Sequence, residues 1–422
     1  MPLRGEFTPP GDKSISHRLI LMSIAAEGEM TVTGLADGDD VKTSLRLFKV
    51  LGGEARGPST RLTLTGLGGR VKADPARPVE LDCGNSGTTA RLLAGLATGL
   101  PGAYVFDGDA QLRRRPMERL AEPLGRMGGR LETTDGRLPM RVTGGLPLNG
   151  IKYVNQAASA QLKSAVILAT LKAASPSLII EPVPTRDHTE RLVRAWGGHA
   201  TLGPEGLEVR PGRLTLPREM TVPADPSSAA FFLTAAALKP GGRVTARAML
   251  LSPARIGFLR VLERLGAEVN IKRDQPEEDQ LEPMGRVTVA HKGPLKATEV
   301  TEIPSLVDEV PILALAAAFA EGVTVFRNLG ELRHKETDRL AAIHRQLEAL
   351  GVPARVEGDD LFITGPATLA PPEVLDSGHD HRLAMTLLLA RHLAGSRTPV
   401  LGEESISISY PGFKADLARL AA

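Results

Sequence analysis

A helix that runs into a short hairpin recurs along this chain, and the repetition constrains the fold more than any single motif. An apolar residue and glycine close the helix, and two strand-like stretches follow. The pattern stands at "VLGGEARGPSTRLTLTG", "RMGGRLETTDGRLPMRVTG", "AWGGHATLGPEGLEVRPG", "RLGAEVNIKRDQ" and "ALGVPARVEGDDLFITG". Gly52, Gly128, Gly197, Gly266 and Gly351 fall where a helix end takes left-handed backbone. A strand opens each unit, at "GEMTVTGL", "GAYVFDGD", "SPSLIIEP", "GGRVTARA", "EGVTVFRN" and "SRTPVLGE". These starts are spaced by roughly 67 to 80 residues, longer than a common solenoid repeat. Helices such as "ERLVRAW" and "FLRVLERL" are amphipathic, whereas "AAFFLTAAAL" is apolar all round and should be buried.

A chain of 422 residues is too long for one ordinary core, so six units divide into two groups of three. The sixth is degenerate, because "GEESISISYPGF" ends the chain without a hairpin. The crossing between groups is expected at "TVPADPSSAAFF", where Pro223 and Pro226 interrupt regular structure before a helix.

Charge narrows the function. The 51 basic residues face 49 acidic ones, and aromatics are only 3%. That balance argues against a nucleic-acid binder and against a membrane-surface protein. Cys83 is the only cysteine, so no intramolecular disulfide or cysteine-based metal site is possible. It reads as a small buried residue rather than a nucleophile. The start has no signal-peptide core, and apolar runs such as "VPILALAAAFA" are shorter than a membrane span. A soluble, cytoplasmic protein is expected.

Polar clusters stand in front of apolar helices throughout. "PPGDKSISHR" places Lys13, Ser14 and Arg18 at a helix start, where free backbone N–H groups and cations suit an anion. "LDCGNSGTTARLLAGL" is a glycine-rich turn into a helix carrying Arg91, without the ending of a Walker loop. "DGDAQLRRRPMERL" supplies Arg115, with Arg113 and Arg114 read as solvated. "NQAASAQLKSAVILA" supplies Ser159 and Gln161, and "EPVPTRDHTERL" supplies Thr185 and Arg186.

Further on, Asp308 and Glu309 open "DEVPILALAAAFA", where helix capping is the simpler role for both. "GELRHKETDRL" concentrates Lys335, Glu336 and Arg339 at a helix start. "DSGHDHRLAMTLLL" contributes Asp380, His381 and Arg382. His379 and His381 lack a third ligand at metal spacing, so no metal is expected. If the two groups of units face each other, these helix starts converge on a cleft suited to small polyanions.

"PGDKSISHR", "GNSGTTARL", "RRRPM", "SAQLKSA", "DEVPILALAAA", "KETDR" and "DHRLAM" together resemble the signature segments of the 5-enolpyruvylshikimate-3-phosphate synthase family, in that family's order. The resemblance implies an α/β fold of two similar domains. Each would have three strand–helix units around a pseudo-threefold axis, an inside-out α/β barrel, with the active site in the interdomain cleft. It assigns residues 1–11 and 224–422 to one domain and 12–223 to the other. It implies transfer of the enolpyruvyl group of phosphoenolpyruvate to the 5-hydroxyl of shikimate 3-phosphate, by a monomer without cofactor or metal.

On matching positions, Lys13 would lie between both substrates. Ser14, Arg18, Ser159, Arg186 (or Thr185), Asp308 and Lys335 would contact shikimate 3-phosphate. Gly87, Arg115, Arg339 and Arg382 would hold phosphoenolpyruvate, and Gln161 would reach both ligands. Asp308 would be the base at the 5-hydroxyl, and Glu336 the proton donor or acceptor at the methylene carbon, with Lys13 beside them as the third catalytic group.

Ala160, Glu331 and Ile408 depart from well-known members and look like a second bacterial subgroup. The related UDP-N-acetylglucosamine enolpyruvyl transferases carry a catalytic cysteine on the loop that here reads "DGDAQLRRRP", which has none. Glyphosate competes with phosphoenolpyruvate in this family, and tolerant members often place alanine where this chain has Gly87. The glycine therefore predicts sensitivity, although Leu92 replaces a proline common in sensitive members.

Overall fold

The computed structural model describes residues 1–74, 77–274 and 281–422. Gln275, which ends the fourth repeat segment quoted above, lies outside the described residues. The chain forms two compact units, residues 1–10 with 223–422 and residues 11–222.

Residues 11–222 build three four-stranded sheets of one topology. In each, an opening strand pairs in parallel with a short neighbour and antiparallel with the second strand of the hairpin that follows. The opening strands are Glu29–Thr33, Gly102–Asp107 and Ser177–Ile180. Their parallel partners are Glu219–Thr221, Val79–Asp82 and Lys152–Val154. The first sheet is thus completed by the last strand of the unit.

The other unit repeats the scheme. Arg243–Leu250 pairs in parallel with the chain's first strand, Arg4–Phe7, and Ala320–Phe326 pairs in parallel with Leu295–Lys296 and Glu299–Val300. The sixth copy keeps only Leu375–Asp376 beside Val400–Leu401. All six opening segments are strands, and the last unit is the reduced one. The expected mixed α/β fold is found.

Alternation explains the sheets. Arg137–Gly144 buries Leu138, Met140 and Val142 and turns the arginines outward, so one face meets apolar helices and the other meets water. The five glycines after the amphipathic helices all have positive φ, between 75° at Gly351 and 104° at Gly266.

Each unit has three helices buried nearly all round. They are Lys13–Met22, Gly87–Gly99 and Ala160–Thr170 in one, and Pro226–Ala237, Val310–Ala317 and His381–Ala394 in the other. Backbones approach closely where Gly95 meets Ala165, since a Cβ on Gly95 would lie 2.5 Å from the Ala165 carbonyl oxygen. That contact fixes the offset between two helix starts that both carry candidate site residues. No helix among the described residues is long and apolar enough to cross a membrane.

Candidate active site

In residues 11–222 the candidate residues cluster at three helix N-termini. Asp12 caps the first helix, its Oδ1 accepting from Ile15 N at 2.8 Å, which puts Lys13 at the first helical position. Lys13 Nζ donates to Asp40 Oδ2 at 3.0 Å. Arg18 is buried and each of its three guanidinium nitrogens donates one hydrogen bond: Nε to Thr189 Oγ1 at 2.7 Å, Nη1 to Ser14 O at 2.9 Å and Nη2 to Ser164 Oγ at 2.9 Å.

Ser86 caps the second helix through Thr89 N, leaving Gly87 and Thr88 in its first turn. A Cβ on Gly87 would lie 2.8 Å from Arg115 Nη1 and 2.9 Å from Arg91 Nη1, so two guanidinium groups flank this turn. Gln161 joins the second and third helices, its Oε1 accepting from Arg91 Nη1 at 2.7 Å and its Nε2 donating to Thr88 Oγ1 at 3.0 Å.

Arg113 pairs with Asp107 at the surface, in keeping with its reading as solvated, whereas Arg115 is buried. Cys83 is fully buried, which pushes its thiol far above the ordinary range.

Ser159 caps the third helix. Its turn and the Thr185–Arg186 loop both hang on Glu181, whose Oε1 accepts from Asn155 Nδ2 at 3.1 Å and from Thr185 Oγ1 at 2.6 Å. Lys163, buried in the same helix, holds Glu181 Oε2 and Glu190 Oε1, each at 2.7 Å. Burial pushes the Glu190 carboxyl up, against the pull of Lys163.

In the unit of residues 1–10 and 223–422, three acids and two arginines gather. Arg339 is 1% exposed; its Nε donates to Asp380 Oδ2 at 2.9 Å and its Nη2 to Asp380 Oδ1 at 3.2 Å. The same Nη2 donates to Glu336 Oε2. Asp308 Oδ1 lies 3.7 Å from Arg339 Nη1 and 3.8 Å from Arg382 Nε. Burial opposes the Arg339 charge, but Asp380, Glu336 and Asp308 together raise its pKa.

Asp380 also caps the helix His381–Ala394, its Oδ1 accepting from Arg382 N at 2.9 Å. One fully buried carboxylate therefore orients Arg339 and starts the helix that carries Arg382.

The charged run at 335–339 is not one helical face. A short 3-10 turn covers Gly330–His334, Asp338 caps the helix Arg339–Ala349, and Lys335 and Glu336 lie in the bend between. Glu309 sits at the N-cap of Val310–Ala317 but its side chain makes no cap bond. Among the described residues no group of three or more His, Cys, Asp or Glu side chains is placed to hold a metal. His379 instead meets Glu404 at the surface.

Sequence reasoning passed over Asp40 and the clamping role of Asp380, and noted Arg91 without giving it a part. Arg91 was the findable one, four residues after Gly87 and so on the same helix face.

Comparison with known proteins bears on what these clusters serve. The family model for EPSP synthase (3-phosphoshikimate 1-carboxyvinyltransferase) matches residues 1–417. The chain belongs to the EPSP synthase family. A 3-phosphoshikimate 1-carboxyvinyltransferase of Synechococcus sp. (strain CC9605) is 43% identical over 99% of this chain and 96% of the relative. One from Lactiplantibacillus plantarum is 40% identical over 99% and 96%. Among solved structures, EPSP synthase from Acinetobacter baumannii superposes with a TM-score of 0.84 at 35% identity, covering 99% of this chain and 96% of that one. The enolpyruvyl transferase NikO from Streptomyces tendae, at 19% identity and TM-score 0.76, shares the fold.

Proposed function

We propose that this chain transfers the enolpyruvyl group of phosphoenolpyruvate to the 5-hydroxyl of shikimate 3-phosphate, releasing phosphate, in cytoplasmic aromatic amino-acid biosynthesis. The family match along residues 1–417 carries the reading. The clusters of cations and carboxylates support it chemically.

Phosphoenolpyruvate carries a phosphate and a carboxylate, which guanidinium forks match. Arg115, Arg339 and Arg382, with the Gly87 turn, are the groups proposed to hold it. Ser14, Arg18, Ser159, Arg186 and Lys335 are proposed for shikimate 3-phosphate, with Lys13 and Gln161 serving both. A proton added at C3 by Glu336 makes C2 cationic. The 5-hydroxyl oxygen then bonds C2 while its proton passes to Asp308. Loss of a C3 proton and cleavage of the C2–O bond to phosphate restore the double bond and free phosphate.

The decisive assay is phosphate release from phosphoenolpyruvate, run separately with shikimate 3-phosphate and with UDP-N-acetylglucosamine. Release only with the second acceptor would overturn the reading.

Gly87→Ala is expected to raise the KM for phosphoenolpyruvate by about tenfold, the scale of one weakened charge-assisted bond. The added methyl would push on the ends of Arg115 and Arg91. Glyphosate is longer than phosphoenolpyruvate, so its inhibition constant should rise more than that KM. An inhibition constant that stays put would remove Gly87 from the inhibitor site.

Lys335 sets a pH limit. Its pKa is lowered from 10.5, first by burial and also by Arg339, while Asp308, Glu331 and Glu336 oppose the shift. In the folded protein its proton leaves earlier than in the unfolded chain. Stability should therefore rise with pH between the folded and ordinary values, because the unfolded chain binds more protons there. Activity should do the opposite: kcat/KM for shikimate 3-phosphate falls as the ammonium is lost, below the usual lysine range. Lys335→Arg should move that alkaline limb upward, and an unmoved limb would assign it to another group.

A further inference from the structure

We propose that His17, Ser44 and Thr89 form a one-way hydrogen-bond relay that positions the Gly87 turn against Lys13. The proposal rests on the reading of Lys13 and Gly87 as phosphoenolpyruvate groups and adds three positioning residues to it.

The helices Lys13–Met22 and Asp39–Val50 are joined by two rungs, each linking residues 27 apart in sequence. The outer rung is Lys13 Nζ to Asp40 Oδ2. One turn deeper, the inner rung joins His17 Nδ1 to Ser44 Oγ at 2.8 Å. From there the chain continues: Ser44 Oγ meets Thr89 Oγ1 at 2.8 Å, and Thr89 Oγ1 donates to Ser86 Oγ at 2.7 Å. His17, Ser44, Thr89 and Ser86 are all 0% exposed, so water does not compete for these bonds.

Proton counting fixes the direction. A hydroxyl has one proton to give. Thr89 spends its own on Ser86, so it accepts from Ser44. Ser44 has then spent its proton and accepts from His17, whose Nδ1 must carry the hydrogen. His17 Nε2 is buried with no hydrogen-bond partner among the described residues. An unprotonated nitrogen is the less costly group to leave there than an N–H. Burial, followed by the nearby charges of Lys13 and Arg18, holds the His17 pKa well below its ordinary value against Asp12, in line with a neutral ring.

The relay ends on the first turn of the helix Gly87–Gly99. Ser86 Oγ receives both the hydroxyl and the N–H of Thr89 there, bracketing Gly87 and Thr88. Lys13 and the Gly87 turn are therefore held in mutual register through fully buried side chains.

The test uses the full chain with nitrogen-15 histidine. His17 is identified among the nine histidines by the signal lost in His17→Gln. The expected spectrum is a neutral ring protonated at Nδ1; protonation at Nε2 would overturn the relay. Thr89→Val keeps the shape and removes the hydroxyl. It should raise the KM for phosphoenolpyruvate by about tenfold and move the His17 signal, while the KM for shikimate 3-phosphate changes by less than about twofold. Thr89→Ser should restore both. Ser44→Ala, which breaks the relay one residue earlier, should reproduce the Thr89→Val kinetics. An unmoved phosphoenolpyruvate KM, or equal losses for both substrates without rescue by serine, would defeat the relay while leaving the functional reading intact. A wild type that releases no phosphate would overturn that reading, and the purpose assigned to the relay with it.

Discussion

Asp308→Asn is expected to lower kcat by about a hundred- to ten-thousand-fold, the usual contribution of a positioned general base. The two side chains are nearly equal in volume, so the variant should fold and still bind shikimate 3-phosphate. What changes is the ability to take a proton. Asp308 is only partly buried, and its Oδ1 lies within 4 Å of Arg339 and Arg382, at 3.7 and 3.8 Å. Asparagine can keep an oxygen facing those guanidinium groups but cannot accept the hydroxyl proton. Single-turnover phosphate release measures the chemical step, and calorimetric titration of shikimate 3-phosphate measures binding. Wild-type turnover in the variant would remove Asp308 from the base role. Loss of binding together with turnover would make it a ligand-holding group instead.

The fold was legible because its information is local. A glycine after a helix and an alternating strand such as "RLPMRV" report their own backbone, and repetition multiplied those weak signals until six opening strands stood in register. The degenerate sixth copy could be read from a missing hairpin.

The candidate site was legible only where one segment carried both a polar or charged group and its helix start, as at Lys13, Ser159 and Arg382. What stayed hidden was pairing at a distance. Asp40 looks like an acidic first turn until Lys13 reaches it across 27 residues, and Gln161 meets Arg91 across 70. The run from Lys335 to Arg339 was read as a helix start, but its distant partner stayed hidden in the same way. Like charges four apart would repel on one helix face, but Asp380, 41 residues further on, draws Arg339 inward and the helix begins only after Asp338.

Asp380 is where two functions of one carboxylate can be separated. Asp380→Asn keeps an oxygen to accept from Arg382 N, so the helix His381–Ala394 stays capped, but it removes the charge that faces Arg339. Asp380→Ala removes both. Arg339 is 1% exposed and Asp380 is 0% exposed, so the variants leave a buried guanidinium short of its main counter-charge. Breaking a buried pair in this way costs about 3–5 kcal/mol, and loss of the cap adds about 1 kcal/mol. Stability should therefore fall in the order wild type, Asn, Ala, with the larger step at Asn. The functional effect should follow Arg339 rather than the helix. Freed from its bidentate clamp, the guanidinium turns further toward Glu336 and Asp308, and the KM for phosphoenolpyruvate rises in both variants by a similar factor. Thermal unfolding and steady-state kinetics on the same preparations measure the two effects. Equal stability in Asn and wild type would show that the buried charge pair contributes little. A KM that rises only in Ala would show that the cap, and through it Arg382, is what substrate binding depends on.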